Sequence, residues 1–119
     1  MRALVPVAYE DLRRQLRAFV DERDWDAFHT PKDLAMSVAI EAGELMELFQ
    51  WRDLQAADVT AEDRRRIGEE LADVVLYSML LADKAGIDLL DAVGNKLAQN
   101  AAKYPAERAR GRADKYDKL

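Results

Sequence analysis

Ala39-Ile40-Glu41-Ala42-Gly43-Glu44-Leu45-Met46-Glu47-Leu48-Phe49 is an apolar run that carries acids at helical spacing. Glu41 and Glu44 stand three residues apart, so a helix places both carboxylates on one face. Leu34, Met36, Val38 and Ile40, with Leu45, Met46, Leu48 and Phe49, leave that helix little outer face. A second pair, Glu70 and Asp73, repeats the spacing in Glu69-Glu70-Leu71-Ala72-Asp73-Val74-Val75-Leu76-Tyr77. Acids three apart usually mark a solvated face. Here two pairs sit in apolar surroundings, where an unpaired charge costs several kcal/mol. A divalent cation among them resolves the conflict. Gly43, between the first two acids, costs about 1 kcal/mol relative to alanine in a helix. It is expected to let another backbone or a ligand approach.

Working outward, the chain reads as four helices. The helix of the first pair starts sharply, with Thr30 as N-cap, Pro31 in the first helical position and Asp33 at N3. It is expected to run to about Trp51. Before it, Leu12, Leu16, Phe19 and Val20 mark a helix from Tyr9 to about Arg23. The second pair lies on a helix capped by Thr60, with Glu62 and Asp63 in its first turn. That helix reaches about Lys84 and is stopped by Gly86. Asp88 caps the fourth, which continues through Val93 and Leu97 to about Tyr104, and Pro105 ends it. No stretch alternates as a strand. The expected fold is all-α, a four-helix bundle over residues 1–106. A charged tail follows over residues 107–119, mobile or covering the substrate.

Composition agrees. Of 119 residues, 50% are apolar and 34% charged, and glycine and proline are scarce, as suits one helical domain. A formal charge of −5 argues against nucleic acid and acidic membranes as partners. No cysteine is present, which removes disulfides and thiolate metal sites and favours a cytoplasmic chain. Met1 to Ala8 is too short, and too soon interrupted by Pro6, for a signal peptide. No apolar run approaches the roughly 18 residues of a membrane-spanning helix.

Four oxygen ligands, Glu41, Glu44, Glu70 and Asp73, suit Mg²⁺, with Mn²⁺ as a substitute. A di-iron bundle requires Glu-x-x-His on two helices. The single histidine, His29, lies outside both pairs, which sets that reading aside. Groups suited to a nucleotide surround the acids. Tyr77 follows Asp73 by one helical turn, Trp51 ends the first acidic helix, and Trp25 and His29 lead into it. Lys96, Asn100 and Lys103 form a stripe on the fourth helix, placed to meet phosphate oxygens. Taken singly, each has a plain structural explanation; together they suggest a site.

These residues carry a family resemblance. The segments are Phe19-Val20-Asp21-Glu22-Arg23-Asp24-Trp25-Asp26-Ala27-Phe28-His29-Thr30-Pro31, Glu41 to Trp51, Glu69 to Val74, and Asn100-Ala101-Ala102-Lys103-Tyr104-Pro105. In order and spacing the chain resembles the all-α nucleoside triphosphate pyrophosphohydrolases of the MazG-like superfamily, and among them the dCTP pyrophosphatase branch. The resemblance covers about residues 10 to 116. It implies hydrolysis of a triphosphate between its α and β phosphates, with Glu41, Glu44, Glu70 and Asp73 holding Mg²⁺. It implies an aromatic base pocket of Trp25, Trp51 and Tyr77 beside His29. Lys96, Asn100 and Tyr104 match positions that hold the nucleotide, and Lys103 shares their stripe. Ile40 stands where many MazG-like sequences have a further acid, which the dCTP branch often lacks. Glu44 and Glu69 are the candidates to take a proton from the attacking water, with Glu47 third. The resemblance also implies a homo-oligomer, a tetramer built as a dimer of dimers. Two rivals remain at this point: a catalytically silent nucleotide- or metal-binding regulatory protein, and a plain helical interaction module.

Overall fold

A computed structural model of the chain describes residues 8–119. The stretch from Met1 to Val7, on which the reading of the N-terminus rests, lies outside the described residues. The elements are α1 (Tyr9–Glu22), α2 (Pro31–Glu47), α3 (Ala61–Ala85), α4 (Leu89–Lys103) and α5 (Ala106–Ala109). Short 3₁₀ turns stand at Asp26–Phe28, Ala56–Asp58 and Tyr116–Lys118. Among the described residues there is no strand, and the fold is all-α. No helix among them is long and apolar enough to cross a membrane. The chain divides into two compact units, one through Gly86 and one from Ile87 to Leu119.

In the first unit the helix starts are set by short polar side chains. The Asp33 amide donates to Thr30 Oγ1 at 3.2 Å, and Pro31 takes the first helical position. At α3 the Asp63 amide donates to Thr60 Oγ1 at 3.0 Å while the Thr60 amide donates to Asp63 Oδ2 at 3.1 Å, a reciprocal capping box. Asp63 also receives Arg52 Nη1 and Nη2, both at 3.1 Å, which ties the chain leaving α2 to the start of α3. Gly86 ends α3 at φ +69°, where a side chain would be strained.

Three cross-contacts fix the register of α2 and α3. Arg52 meets Asp63 at one end, Glu41 and Glu70 approach in the middle, and Leu34 packs with Leu80 at the other. The two helices are therefore antiparallel neighbours. α1 closes the Leu34 end, where Val20, Leu34 and Leu80 form the buried core and Leu16, Tyr77 and Leu81 pack against it.

The Arg52–Asp63 pair has a consequence in acid. Arg52, the first cause, and the capping bonds with Thr60 hold the Asp63 carboxyl down at about 2, from an ordinary 3.8. An acid with a depressed native pKa adds stability above its unfolded value and loses it on protonation. Stability is therefore expected to fall as pH drops from 3.8 toward about 2. Asp63→Asn should flatten that limb of an acid titration followed by circular dichroism. An unchanged limb in the variant contradicts the assignment.

α2 is shorter than the sequence suggests, ending at Glu47 and not at Trp51. Leu48, Phe49 and Gln50 donate to carbonyls three residues back, which tightens the helix end. Trp51 then takes a left-handed φ of 65° that cannot continue an α-helix. The pull of Asp63 on the next residue, Arg52, supports that turn.

In the second unit Asp88 caps α4, its carboxylate accepting the Asp91 amide at 3.1 Å. The segment expected as a mobile tail has contacts of its own. Tyr116 meets Tyr104 edge-on with centroids 6.2 Å apart, and Lys103 Nζ lies 5.0 Å from the Tyr116 ring. Arg112 binds Asp114 and donates to the Lys118 carbonyl.

Candidate functional site

The antiparallel register brings three acids from two helices to one point. One carboxylate oxygen from each of Glu41, Glu44 and Glu70 lies within 4.8 Å of the others. Glu41 and Glu70 are half-buried, and each keeps one oxygen, Oε2, shielded from water with no hydrogen-bond partner. Among the described residues no lysine or arginine forms an ion pair with Glu41, Glu44, Glu70 or Asp73. Burial pushes the Glu41 carboxyl up to about 7, helped by a hydrogen bond with Glu44 and the charges of Glu44, Asp73 and Glu70. Burial also raises Glu70, with Glu44 and Asp73 adding to it. Buried carboxylate oxygens without donors carry a large desolvation cost. An all-oxygen set of this kind fits a hard divalent cation.

Beside the acids is a cavity of about 230 Å³. Asp73 and Tyr77 of α3 line one side, Phe19 and Val20 of α1 another, and Trp25 and His29 close it. The turn after α1 is built to present Trp25. Asp24 takes φ 55°, a left-handed conformation that aspartate tolerates better than most residues. The Trp25 amide then donates back to the Val20 carbonyl at 3.1 Å. This folds the indole onto Phe19, edge to face, with centroids 5.7 Å apart and planes at 78°. The Arg23 guanidinium sits 3.8 Å from the Phe19 centroid. Asp73 belongs to both halves, lining the cavity while its charge acts on Glu41 and Glu70.

The sequence pattern of the MazG-like family matches residues 36–119. The chain belongs to the MazG-like family. It is 41% identical over 113 residues to mouse (Mus musculus) dCTP pyrophosphatase 1, covering 92% of this chain and 66% of that protein. The human (Homo sapiens) dCTP pyrophosphatase 1 is 40% identical over 113 residues, with the same coverage. The chain thus spans just under two thirds of the length of these relatives. A crystal structure of a pyrophosphatase from Archaeoglobus fulgidus DSM 4304 superposes with a TM-score of 0.74 at 39% identity. That match covers 88% of this chain and 99% of the archaeal one. A MazG-like protein implies a divalent metal, and the Glu41, Glu44 and Glu70 oxygens are the donors this chain offers.

Within this MazG-like chain the structure gathers some of the expected site residues and separates others. Glu41, Glu44 and Glu70 converge, and Trp25, His29, Asp73 and Tyr77 share the cavity. Glu69 is exposed and accepts from Arg65 Nη1 at 2.6 Å, outside the acidic cluster. Glu47 is exposed and lines a surface hollow with Gly43, Met46 and Gln50. Trp51 is 94% exposed and does not line the cavity. Among the described residues, nothing beyond Gly43's neighbours and its own helix backbone lies within 4 Å of where a Gly43 Cβ would stand, so none of them makes the approach expected there. Lys96, Asn100, Lys103 and Tyr104 belong to the second unit, all four exposed. Phe19 is a cavity wall that its place in the apolar stripe of α1 disguised as plain core. The contact with Trp25, six residues on, was the missing signal.

Proposed function

We propose that the chain is a Mg²⁺-dependent nucleoside triphosphate pyrophosphohydrolase. It would cleave a dNTP, with dCTP or a modified dCTP favoured, to the monophosphate and pyrophosphate. The observation that carries this reading is the junction at Asp73, where a triad of acids with two orphaned oxygens adjoins an aromatic cavity. The cavity, about 230 Å³, is smaller than the roughly 300–1,000 Å³ that encloses a whole small-molecule ligand. That size suits a base held by Trp25, Tyr77 and His29 while the phosphates extend over the acids.

Glu41, Glu44, Glu70 and Asp73 would hold Mg²⁺. Bound there, the ion supplies charge neutralisation and polarisation of the reacting phosphate. Of the carboxylates proposed to take the proton of the attacking water, Glu44 is the better placed. It is solvent-accessible and lies within the cluster, whereas Glu69 is engaged by Arg65. Trp51, Lys96, Asn100, Lys103 and Tyr104 stay assigned to the nucleotide on the strength of the resemblance.

The four-helix bundle and its assembly as a tetramer, a dimer of dimers, belong to the same reading. On the first unit Met36, Ile40, Met46, Leu71 and Val75 are each about half exposed or more, a large apolar area for one protomer. A protomer mass in light scattering at micromolar concentration would remove the oligomer. The same reading takes the chain as cytoplasmic, in keeping with its lack of cysteine.

The deciding experiment measures pyrophosphate release with Mg²⁺ across the dNTPs, NTPs and modified pyrimidine triphosphates. The expected result is monophosphate and pyrophosphate in equal amounts, fastest with dCTP or its modified forms. Absence of pyrophosphate from every triphosphate overturns the assignment.

A further inference from the structure

The cavity wall formed by Trp25 and His29 is not part of a regular helix. It is a short turn between α1 and α2, and its own backbone bonds run only to carbonyls within the turn or at the end of α1. Phe28 donates to Trp25, His29 to Asp26, and Trp25 to Val20. What joins this turn to α3, the opposite wall, is a chain of five charged side chains, none of which lines the cavity. Lys84 Nζ meets Asp26 Oδ1 at 2.9 Å, and Arg17 Nη1 donates to the same oxygen at 3.0 Å. Arg17 Nη2 turns to Asp83 Oδ2 at 2.6 Å, and Arg13 Nη1 reaches Asp83 Oδ1 at 2.5 Å. Cations and anions alternate without a gap, from α1 through α3 to the turn.

Single exposed ion pairs contribute little, because water screens them and ordering long side chains costs entropy. This group differs in two respects. The Asp83 side chain is only 17% exposed, and Arg17 spans two carboxylates with separate nitrogens, so its planar fork is fixed at both ends. Asp26 is the member that belongs to the turn. Its carboxylate has two cationic partners, one on α1 and one on α3, and it stands next to Trp25 and three residues before His29.

We infer that Asp26 is a positioning residue: clamped by Arg17 and Lys84, it holds the Trp25–His29 turn against α3 and so sets the width of the cavity. The inference rests on the reading of that cavity as the base pocket. Asp26 touches neither the acids nor the cavity, so its removal acts on binding and not on the chemical step.

Asp26→Ala tests this with two readouts. Backbone hydrogen exchange over residues 24–30, measured without nucleotide, should quicken several-fold while α2 and α3 keep their protection. With the triphosphate that the wild-type chain hydrolyses best, KM should rise about five- to tenfold, the scale of a small cluster's coupling, with kcat within about twofold. Lys84→Gln, which leaves the turn's sequence intact, should move both readouts in the same direction by less. It serves in place of Asp26→Ala if that variant fails to fold. Unchanged exchange over 24–30 in the variants overturns the clamp, as does a fall in kcat at constant KM. Quickened exchange in a chain whose wild type hydrolyses no triphosphate upholds the clamp and overturns the pyrophosphohydrolase reading instead.

Discussion

Glu41→Gln is expected to lower turnover by about 10³-fold while the metal-free protein melts at a higher temperature than the wild type. The two effects have one origin. Glu41 stands at the centre of the acidic group, where burial, Glu44, Asp73 and Glu70 all oppose its ionisation. Glutamine keeps the shape and removes the charge, so repulsion in the empty cluster falls and the fold gains stability. The same change removes one of the oxygens proposed to hold the cation, which would be worth several kcal/mol in the reaction. At 1.36 kcal/mol per tenfold in rate, the loss reaches about three decades. In a thermal melt, Mg²⁺ at 100 times its dissociation constant should stabilise the wild type by about 2.7 kcal/mol through mass action. The variant should show little of this. Full activity in Glu41→Gln would sink the metal site, and an unchanged metal-free melting temperature would remove the electrostatic account of it.

Leu34→Ala is expected to have the largest effect on stability. Leu34 is 1% exposed and shares a buried cluster with Val20 of α1 and Leu80 of α3. Truncating a buried leucine costs about 2–5 kcal/mol, since the neighbours only partly collapse into the space. For a unit of this size that corresponds to a melting temperature lower by roughly 10–25 °C. The total stability of a small domain is about 5–15 kcal/mol, so much of the margin would go. Val20 and Leu80 also line the cavity, so the void opens beneath it and, if the cavity is the proposed base pocket, KM should rise as well. Urea unfolding gives the stability change directly; a loss below 1 kcal/mol would mean that Leu34 does not organise this core.

The helix starts were legible because their causes are local. Thr30 before Pro31, Thr60 three residues before Asp63, and Asp88 each act within a few residues of themselves, as does Gly86 at the end of α3. The acids could be paired along a helix for the same reason. Glu69 and Glu70, however, are neighbours in sequence about 100° apart around α3. Only the register against α2 decides that Glu70 is the one turned to Glu41, while Glu69 keeps its partner Arg65 one turn back on the same helix. The early end of α2 was hidden in the same way. Trp51 reads as one more apolar helical residue until Arg52 is seen fastened to Asp63, eleven residues on. The tie between Arg17 and Asp83 spans 66 residues, and no sequence pattern at short range announces it.

One continuous helix, α3, supplies both Glu70 to the acids and Tyr77 to the cavity. Seven residues separate them, which is two turns and about 10 Å of axial rise. The helix thus works as a ruler whose two marks are a carboxylate and an aromatic ring. Inserting or deleting one residue between the marks would move them by about 1.5 Å and twist them about 100° apart. The connection over residues 53–59, outside both marks, can change length without disturbing either. A functional variant of this chain can therefore gain or lose residues there, but should keep the interval from Glu70 to Tyr77 at seven.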